Sequence, residues 1–203
     1  MAMYTETEVK FHIADLDKLA ARLEEMGAAL TSPRTHEYNL RFDTPAETLS
    51  ADACVLRLRR DAESHLTFKA PSTNVNGVLS REEIEFTVGD FDTAQRFLEA
   101  LGYEIFAVYE KYRSTYRLGN LHFMLDELPY GNFFEIEGED VERIRDIAQQ
   151  LGLQWDAAVK MGYLGIFRRL CAGRDVDEKQ LTFNALSKES FSLNSISVIA
   201  ADR

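Results

Sequence analysis

The stretch Tyr4-Thr5-Glu6-Thr7-Glu8-Val9-Lys10-Phe11-His12-Ile13 alternates in type from one residue to the next. Alternation with a period of two is the pattern of a strand, and it places Glu6, Glu8 and Lys10 on one face. Asp15 then caps a helical pattern carried by Leu16, Leu19, Leu23 and Met26 and stopped at Gly27. The chain therefore opens with a strand followed by a helix.

Glu37–Thr44 reads as a second strand, Pro45–Ser50 as a short helical turn, and Cys54–Arg60 with Ser64–Ala70 as a hairpin. Pro71–Gly77 reads as a polar loop. Leu79–Val88 alternates again, and Asp90 or Asp92 opens a second amphipathic helix that ends at Gly102. Strands are expected at Tyr103–Leu118, Leu121–Glu127 and Phe133–Glu137, joined by the turn sequences Leu118-Gly119-Asn120 and Pro129-Tyr130-Gly131-Asn132. Helices follow at Glu139–Leu151 and around Ala157–Leu170. Beyond Cys171 the periodicity fades, so residues 1–170 are read as one domain and 171–203 as an extension that is partly ordered at best.

The polar face of an ordinary half-buried sheet is a solvated mixture. Here it is sorted by sign. Glu6 and Glu8 share a face of the first strand, and Glu135 and Glu137 share a face of the last. Arg57 and Arg59 share a face between them, Lys69 follows on the paired strand, and Lys111, Arg113 and Arg117 share a parity downstream. If helices cover the apolar parity, including Leu56, Leu58, Ile84, Phe86 and Val88, the charged parity points into a closed barrel. Many buried charges are costly without counter-charges, so a polyanion and a metal ion are the natural complement. Carboxylate pairs offer the hard oxygen ligands suited to Mg²⁺ or Mn²⁺, and arginine forks with lysines fit phosphate oxygens. Phosphoryl chemistry asks mainly for positioning and charge neutralisation, so no nucleophilic Ser, Cys or His is required.

Composition narrows the partners. The 203 residues are 45% hydrophobic and carry a formal net charge of −11, which argues against nucleic acid or an anionic membrane as a partner. The two cysteines, Cys54 and Cys171, form no zinc spacing and read as free thiols in a reducing compartment. The N-terminus has no signal-peptide pattern and no stretch reaches membrane-spanning length, so the expected location is cytoplasmic. The four histidines show no HExxH spacing.

Seven short segments carry a family resemblance: Glu6-Thr7-Glu8-Val9-Lys10, Arg57-Leu58-Arg59-Arg60, Thr67-Phe68-Lys69-Ala70-Pro71, Arg81-Glu82-Glu83-Ile84-Glu85, Lys111-Tyr112-Arg113, Leu125-Asp126-Glu127 and Phe134-Glu135-Ile136-Glu137-Gly138. In this order, over roughly residues 4 to 170, the chain resembles the CYTH, or triphosphate tunnel metalloenzyme, superfamily. The first segment alone is a weak signal; the ordered set on strands of the right parity is specific. The extension beyond Leu170 departs from the shorter bacterial members.

The resemblance implies an α+β fold: an eight-stranded antiparallel β-barrel with helices packed outside. It implies a divalent cation held by Glu6, Glu8 and acids of the last strand, Glu135 and Glu137. It further implies a triphosphate gripped by Arg57, Arg59, Lys69, Lys111 and Arg113, with Lys10 beside the reacting phosphate. Arg117 is a weaker addition near a strand end. Asp126 points inward and could ligate a second metal or orient an arginine, and Glu83 and Glu85 are expected to support the bases. Members include class IV adenylyl cyclases, thiamine triphosphatases and inorganic triphosphatases. The expected function is metal-dependent hydrolysis of an inorganic or organic triphosphate, with cyclisation of ATP, or non-catalytic polyphosphate or nucleotide binding, as alternatives. A homodimer is compatible with the apolar Phe183, Leu186, Phe191 and Ile196 of the extension.

Overall fold

The structure, a computed structural model, describes residues 4–75 and 78–203, with side chains described for 7–74 and 78–203. The side chain of Glu6, an expected metal ligand, and the Asn76-Gly77 end of the expected polar loop lie outside the described residues. Strand β1 (Tyr4–Ile13) leads into helix α1 (Leu16–Glu25), whose Asp15 cap accepts the Lys18 N–H at 3.1 Å. There follow β2 (Ala29–Asp43), α2 (Thr48–Ala51), β3 (Val55–Arg60), β4 (Ser64–Lys69), β5 (Thr73–Val75) and β6 (Val78–Thr87). Helix α3 (Phe91–Ala100) is capped by Asp90 through the Thr93 N–H, which decides between the two candidate caps. The chain continues as β7 (Glu104–Leu118), β8 (Leu121–Leu128), β9 (Gly131–Glu137), α4 (Val141–Gln150), α5 (Tyr163–Cys171) and β10 (Gln180–Leu181). None of the described helices is long and apolar enough to cross a membrane.

Eight strands close into a ring in the order β1-β9-β8-β7-β2-β3-β4-β6, with β6 returning to pair with β1. Every pairing in the ring is antiparallel. The short β5 extends β6 outside the ring, and β10 joins β7 in parallel. Parity then sorts side chains between the lumen and the outer face. Val9, Phe11 and Ile13 point outward under Leu19 and Leu23 of α1 and Ile144 and Ile147 of α4. Leu40, Phe42, Leu56 and Leu58 pack under Phe91 and Leu98 of α3. Each such fully buried side chain contributes about 1.5–3 kcal/mol, which makes this register strongly preferred over a one-residue slip.

The structure departs from expectation at three places. Ile84 and Phe86 are not covered by helices; they are 53% and 54% exposed on the outer face of β6, because α3 lies over β3 instead. Strand β2 starts at Ala29 rather than Glu37, since irregular pairing between Leu30 and Ser32 and between Ser32 and Thr35 accommodates Pro33 in the ladder. Finally, the expected loop after Pro71 contains β5.

Residues 172–203 run back over the ring. Leu181, Leu186, Leu193 and Val198 are buried with Phe133, Ile166 and Phe167. Ala201 donates its N–H to the His12 carbonyl at 2.9 Å, and the Asp202 carboxylate accepts the Ala14 and Asp15 N–H groups at 2.9 and 3.0 Å. The apolar residues that suggested a dimer have partners within the chain. Leu186 is buried, Phe191 and Ile196 pack on the same cluster, and the Phe183 ring lies 5.2 Å from that of Tyr112.

Candidate active site

The lumen contains a cavity of ≈ 870 Å³. Its charge comes from strand parity, with neighbouring strands placing their odd or even residues at matched register. Lys10 of β1 stands opposite Glu135 of β9, and Glu8 stands opposite Glu137. Arg57 and Arg59 of β3 stand opposite Thr67 and His65 of β4, and Lys69 opposite Glu83 of β6.

One wall is a connected acid–base network. Lys10 Nζ lies 2.9 Å from Glu135 Oε1, both side chains almost fully buried. The Arg113 guanidinium reaches Glu135 Oε2 at 2.5 Å and both oxygens of Asp126, at 2.6 and 2.5 Å. Lys111 Nζ contacts the same Asp126 at 3.0 Å and Glu37 at 3.3 Å. Below them sits Tyr163 at the start of α5, its hydroxyl 2.6 Å from Asp126 and 3.0 Å from Glu135, its ring 4.1 Å from Lys10 Nζ.

Burial disfavours the charged Lys10, yet Glu135 and then Glu8 outweigh it and hold the amine's pKa above its ordinary value. Burial likewise opposes ionisation of Glu135, but Lys10 and Arg113 hold its carboxyl well below the usual range. Glu37 is drawn down to about 2, where Lys111 and Arg113 overcome its desolvation.

The facing wall is basic. Arg57 donates to Glu85 at 3.3 Å and to the Tyr109 hydroxyl at 3.4 Å; Arg59 pairs with Asp61 at 3.0 Å and Glu85 at 3.5 Å. Lys69 Nζ is 2.8 Å from Glu83. Glu83 and Glu85 thus pair with bases of β3 and β4. Desolvation pushes the buried Tyr109 phenol up, but Arg57 and Lys111 more than reverse it and leave the pKa below its ordinary value.

Of the expected residues with described side chains, Glu8, Lys10, Arg57, Arg59, Lys69, Lys111, Arg113, Glu135 and Glu137 all line this cavity, as do Glu83 and Glu85. Arg117 does not join them: it is exposed and contacts the Gly119 carbonyl at 3.5 Å. Asp126 is fully buried behind the bases, with Lys111, Arg113 and Tyr163 around its two oxygens. That set of donors suits a carboxylate orienting an arginine, the second of its two expected roles.

Glu8 and Glu137 suit a divalent cation. Carboxylates directly opposite on antiparallel strands repel, and a cation between them offsets the repulsion. Glu6 shares their strand parity through its backbone position in β1. Among the described residues no cluster of three ligating side chains is present, and the expected third donor is Glu6.

Several residues in or beside the cavity escaped the sequence reading. Glu37 and Arg41 of β2 belong to the alternating run Glu37-Tyr38-Asn39-Leu40-Arg41-Phe42, whose polar parity was the available signal. Arg81 contacts Glu8 at 3.8 Å. Tyr163 had no signal, because it comes from a helix rather than from an alternating strand.

The family model described as CYTH domain matches residues 4–158. The protein named adenylate cyclase CyaB of Aeromonas hydrophila is 28% identical over 186 residues, covering 89% of this chain and 92% of that one. A Vibrio parahaemolyticus structure, described as a candidate adenylate cyclase, superposes with a TM-score of 0.75 at 23% identity, covering 82% of this chain and 99% of its own. A Hippeastrum structure, described as a candidate adenylyl cyclase with a dominant triphosphatase activity, superposes with a TM-score of 0.61 at 20% identity, covering 86% and 99%. A closed antiparallel ring, a lumen sorted by charge and a family match over most of the chain agree: this chain belongs to the CYTH domain family.

Proposed function

We propose that the protein is a divalent-metal-dependent enzyme that cleaves an organic triphosphate, most simply by hydrolysis. The observation that carries this is the lumen itself, where arginines and lysines face carboxylates across one cavity. Its volume lies within the range that holds a whole small organic ligand, which favours an organic triphosphate over tripolyphosphate alone.

Glu8 and Glu137, with Glu6, would hold Mg²⁺ or Mn²⁺, and the ion when bound would neutralise charge on the phosphate oxygens. Arg57, Arg59 and Lys69 grip the phosphate chain from the opposite wall. Arg113 and Lys111, fixed by Asp126, present donors from the side. Lys10 is held protonated by Glu135, so it serves as a donor to the reacting phosphate or an attacking water and not as a base.

Cyclisation of ATP, with the ribose 3′-hydroxyl attacking the α-phosphorus and pyrophosphate leaving, is the second reading. The name of the Aeromonas hydrophila relative, which aligns along nearly the whole of both chains, favours it. Both reactions use the same charged walls and differ in which phosphorus meets the nucleophile.

The metal assignment is tested by Glu8→Gln. The expected result is a rise of about tenfold or more in the Mg²⁺ or Mn²⁺ concentration giving half-maximal turnover, in a protein that still folds. An unchanged metal dependence would remove Glu8 from the site.

A further inference from the structure

One basic residue of the cavity differs from the rest. Lys10 has Glu135 at 2.9 Å, Arg57 has Glu85 at 3.3 Å, Lys69 has Glu83 at 2.8 Å and Arg81 has Glu8 at 3.8 Å. Arg59, Lys111 and Arg113 have carboxylates within the same range. Arg41 lines the cavity too, yet among the described residues it makes no hydrogen bond or salt bridge; its buried Nε, like those of Arg57 and Arg59, has no hydrogen-bond partner.

Its neighbours explain why. On one side the residue directly opposite is Arg57 of β3, a like charge, and on the other it is Ala107 of β7. The acid two positions along the same face, Asp43, is engaged elsewhere: its oxygens accept the N–H groups of Thr44, Leu49 and Ser50 and the Ser50 hydroxyl, at 2.6 to 2.9 Å. Asp43 therefore holds α2 in place. Desolvation, together with Arg57, draws the Arg41 pKa below the ordinary guanidinium value, although Tyr109 and Asp43 act against the shift. A desolvated charge facing a like charge across a strand pair costs stability, and an anion in the cavity would remove that cost.

The position of Arg41 in the ring indicates which part of an anion it meets. Strand β2 is separated from β1 by β9, β8 and β7 on one side and by β6, β4 and β3 on the other. Arg41 thus stands on the wall opposite Glu8 and Lys10. We propose that Arg41 binds the phosphate group of a linear triphosphate that lies farthest from the Glu8–Glu137 wall, and so sets a preference for triphosphates over diphosphates. This rests on the triphosphate reading above and assigns one end of the ligand.

The test is calorimetric titration of the full chain with tripolyphosphate and, separately, pyrophosphate, in EDTA to prevent turnover. Wild type, Arg41→Gln and Arg41→Lys are compared, with melting of each ligand-free protein alongside. Arg41→Gln should weaken tripolyphosphate about 10-fold to 100-fold, the usual range for losing a charge-assisted hydrogen bond, and leave pyrophosphate nearly unchanged. Arg41→Lys should recover part of the loss. Ligand-free Arg41→Gln should melt no lower than wild type, because it removes an uncompensated charge. A loss for tripolyphosphate no larger than that for pyrophosphate, or a lower melting temperature in the ligand-free variant, would overturn the assignment. Wild-type protein that binds neither anion, both in EDTA and in a parallel titration with Ca²⁺ present, would instead defeat the triphosphate reading itself.

Discussion

Lys10 and Glu135 form a buried ion pair in a wall where Glu135 also serves Arg113 and Tyr163, and Lys10 lies against the Tyr163 ring. Removing one member of such a pair leaves a buried charge, which costs about 3–5 kcal/mol. Lys10→Met is expected to lower stability on that scale by denaturant titration, and to reduce turnover about 10²-fold or more through loss of a donor to the reacting phosphate. The depressed carboxyls Glu37 and Glu135 carry a pH signature. A carboxyl whose folded pKa lies below its unfolded value stabilises the fold above the unfolded pKa and loses that contribution as pH falls through the folded one. For Glu37 the window runs from 4.5 down to about 2. Melting temperature should fall across that window, and Glu37→Gln should flatten the fall; a Glu37→Gln curve parallel to wild type would contradict the assigned shift.

At the scale of elements, strand faces were legible because a period of two needs only alternate residues to differ, as in Arg57-Leu58-Arg59 and Glu135-Ile136-Glu137. The start of β2 was not, since Thr31-Ser32-Pro33-Arg34-Thr35 has the composition of a loop and is held in the ladder only by pairing with β7. Helix α5 was legible as a helix, but not as a contributor to the lumen, because no local pattern shows what a helix N-terminus will face. Tyr163 ties that helix to the ring, its hydroxyl on Asp126 and Glu135 and its carbonyl accepting from Tyr130 at 2.9 Å. Tyr163→Phe removes the one hydroxyl proton that Asp126 and Glu135 compete for and should cost about 1–3 kcal/mol in unfolding free energy. An unaltered unfolding curve would mean that water replaces the hydroxyl at no cost. Truncation after Cys171 exposes the surface that Leu181, Leu186 and Val198 cover, and should lower the melting temperature.

For the whole molecule, a net charge of −11 coexists with a lumen rich in arginine and lysine. The two agree because the ring separates inside from outside, so the acidic surface and the basic residues of the lumen are distinct electrostatic environments. Closure of the ring through β1 and β6 joins segments with no local signal for each other. It became legible only through the ordered family segments, whereas the sorting of charge could be read strand by strand.

Triphosphate cleavage is tested by product analysis after incubating the purified protein with Mg²⁺ or Mn²⁺ and, separately, ATP, thiamine triphosphate and tripolyphosphate, following phosphate, pyrophosphate and cyclic AMP together. Metal-dependent cleavage of an organic triphosphate with phosphate as product is expected; pyrophosphate with cyclic AMP would keep the site and exchange hydrolysis for cyclisation. No product from any of the three, with no thermal stabilisation by them, would contradict it.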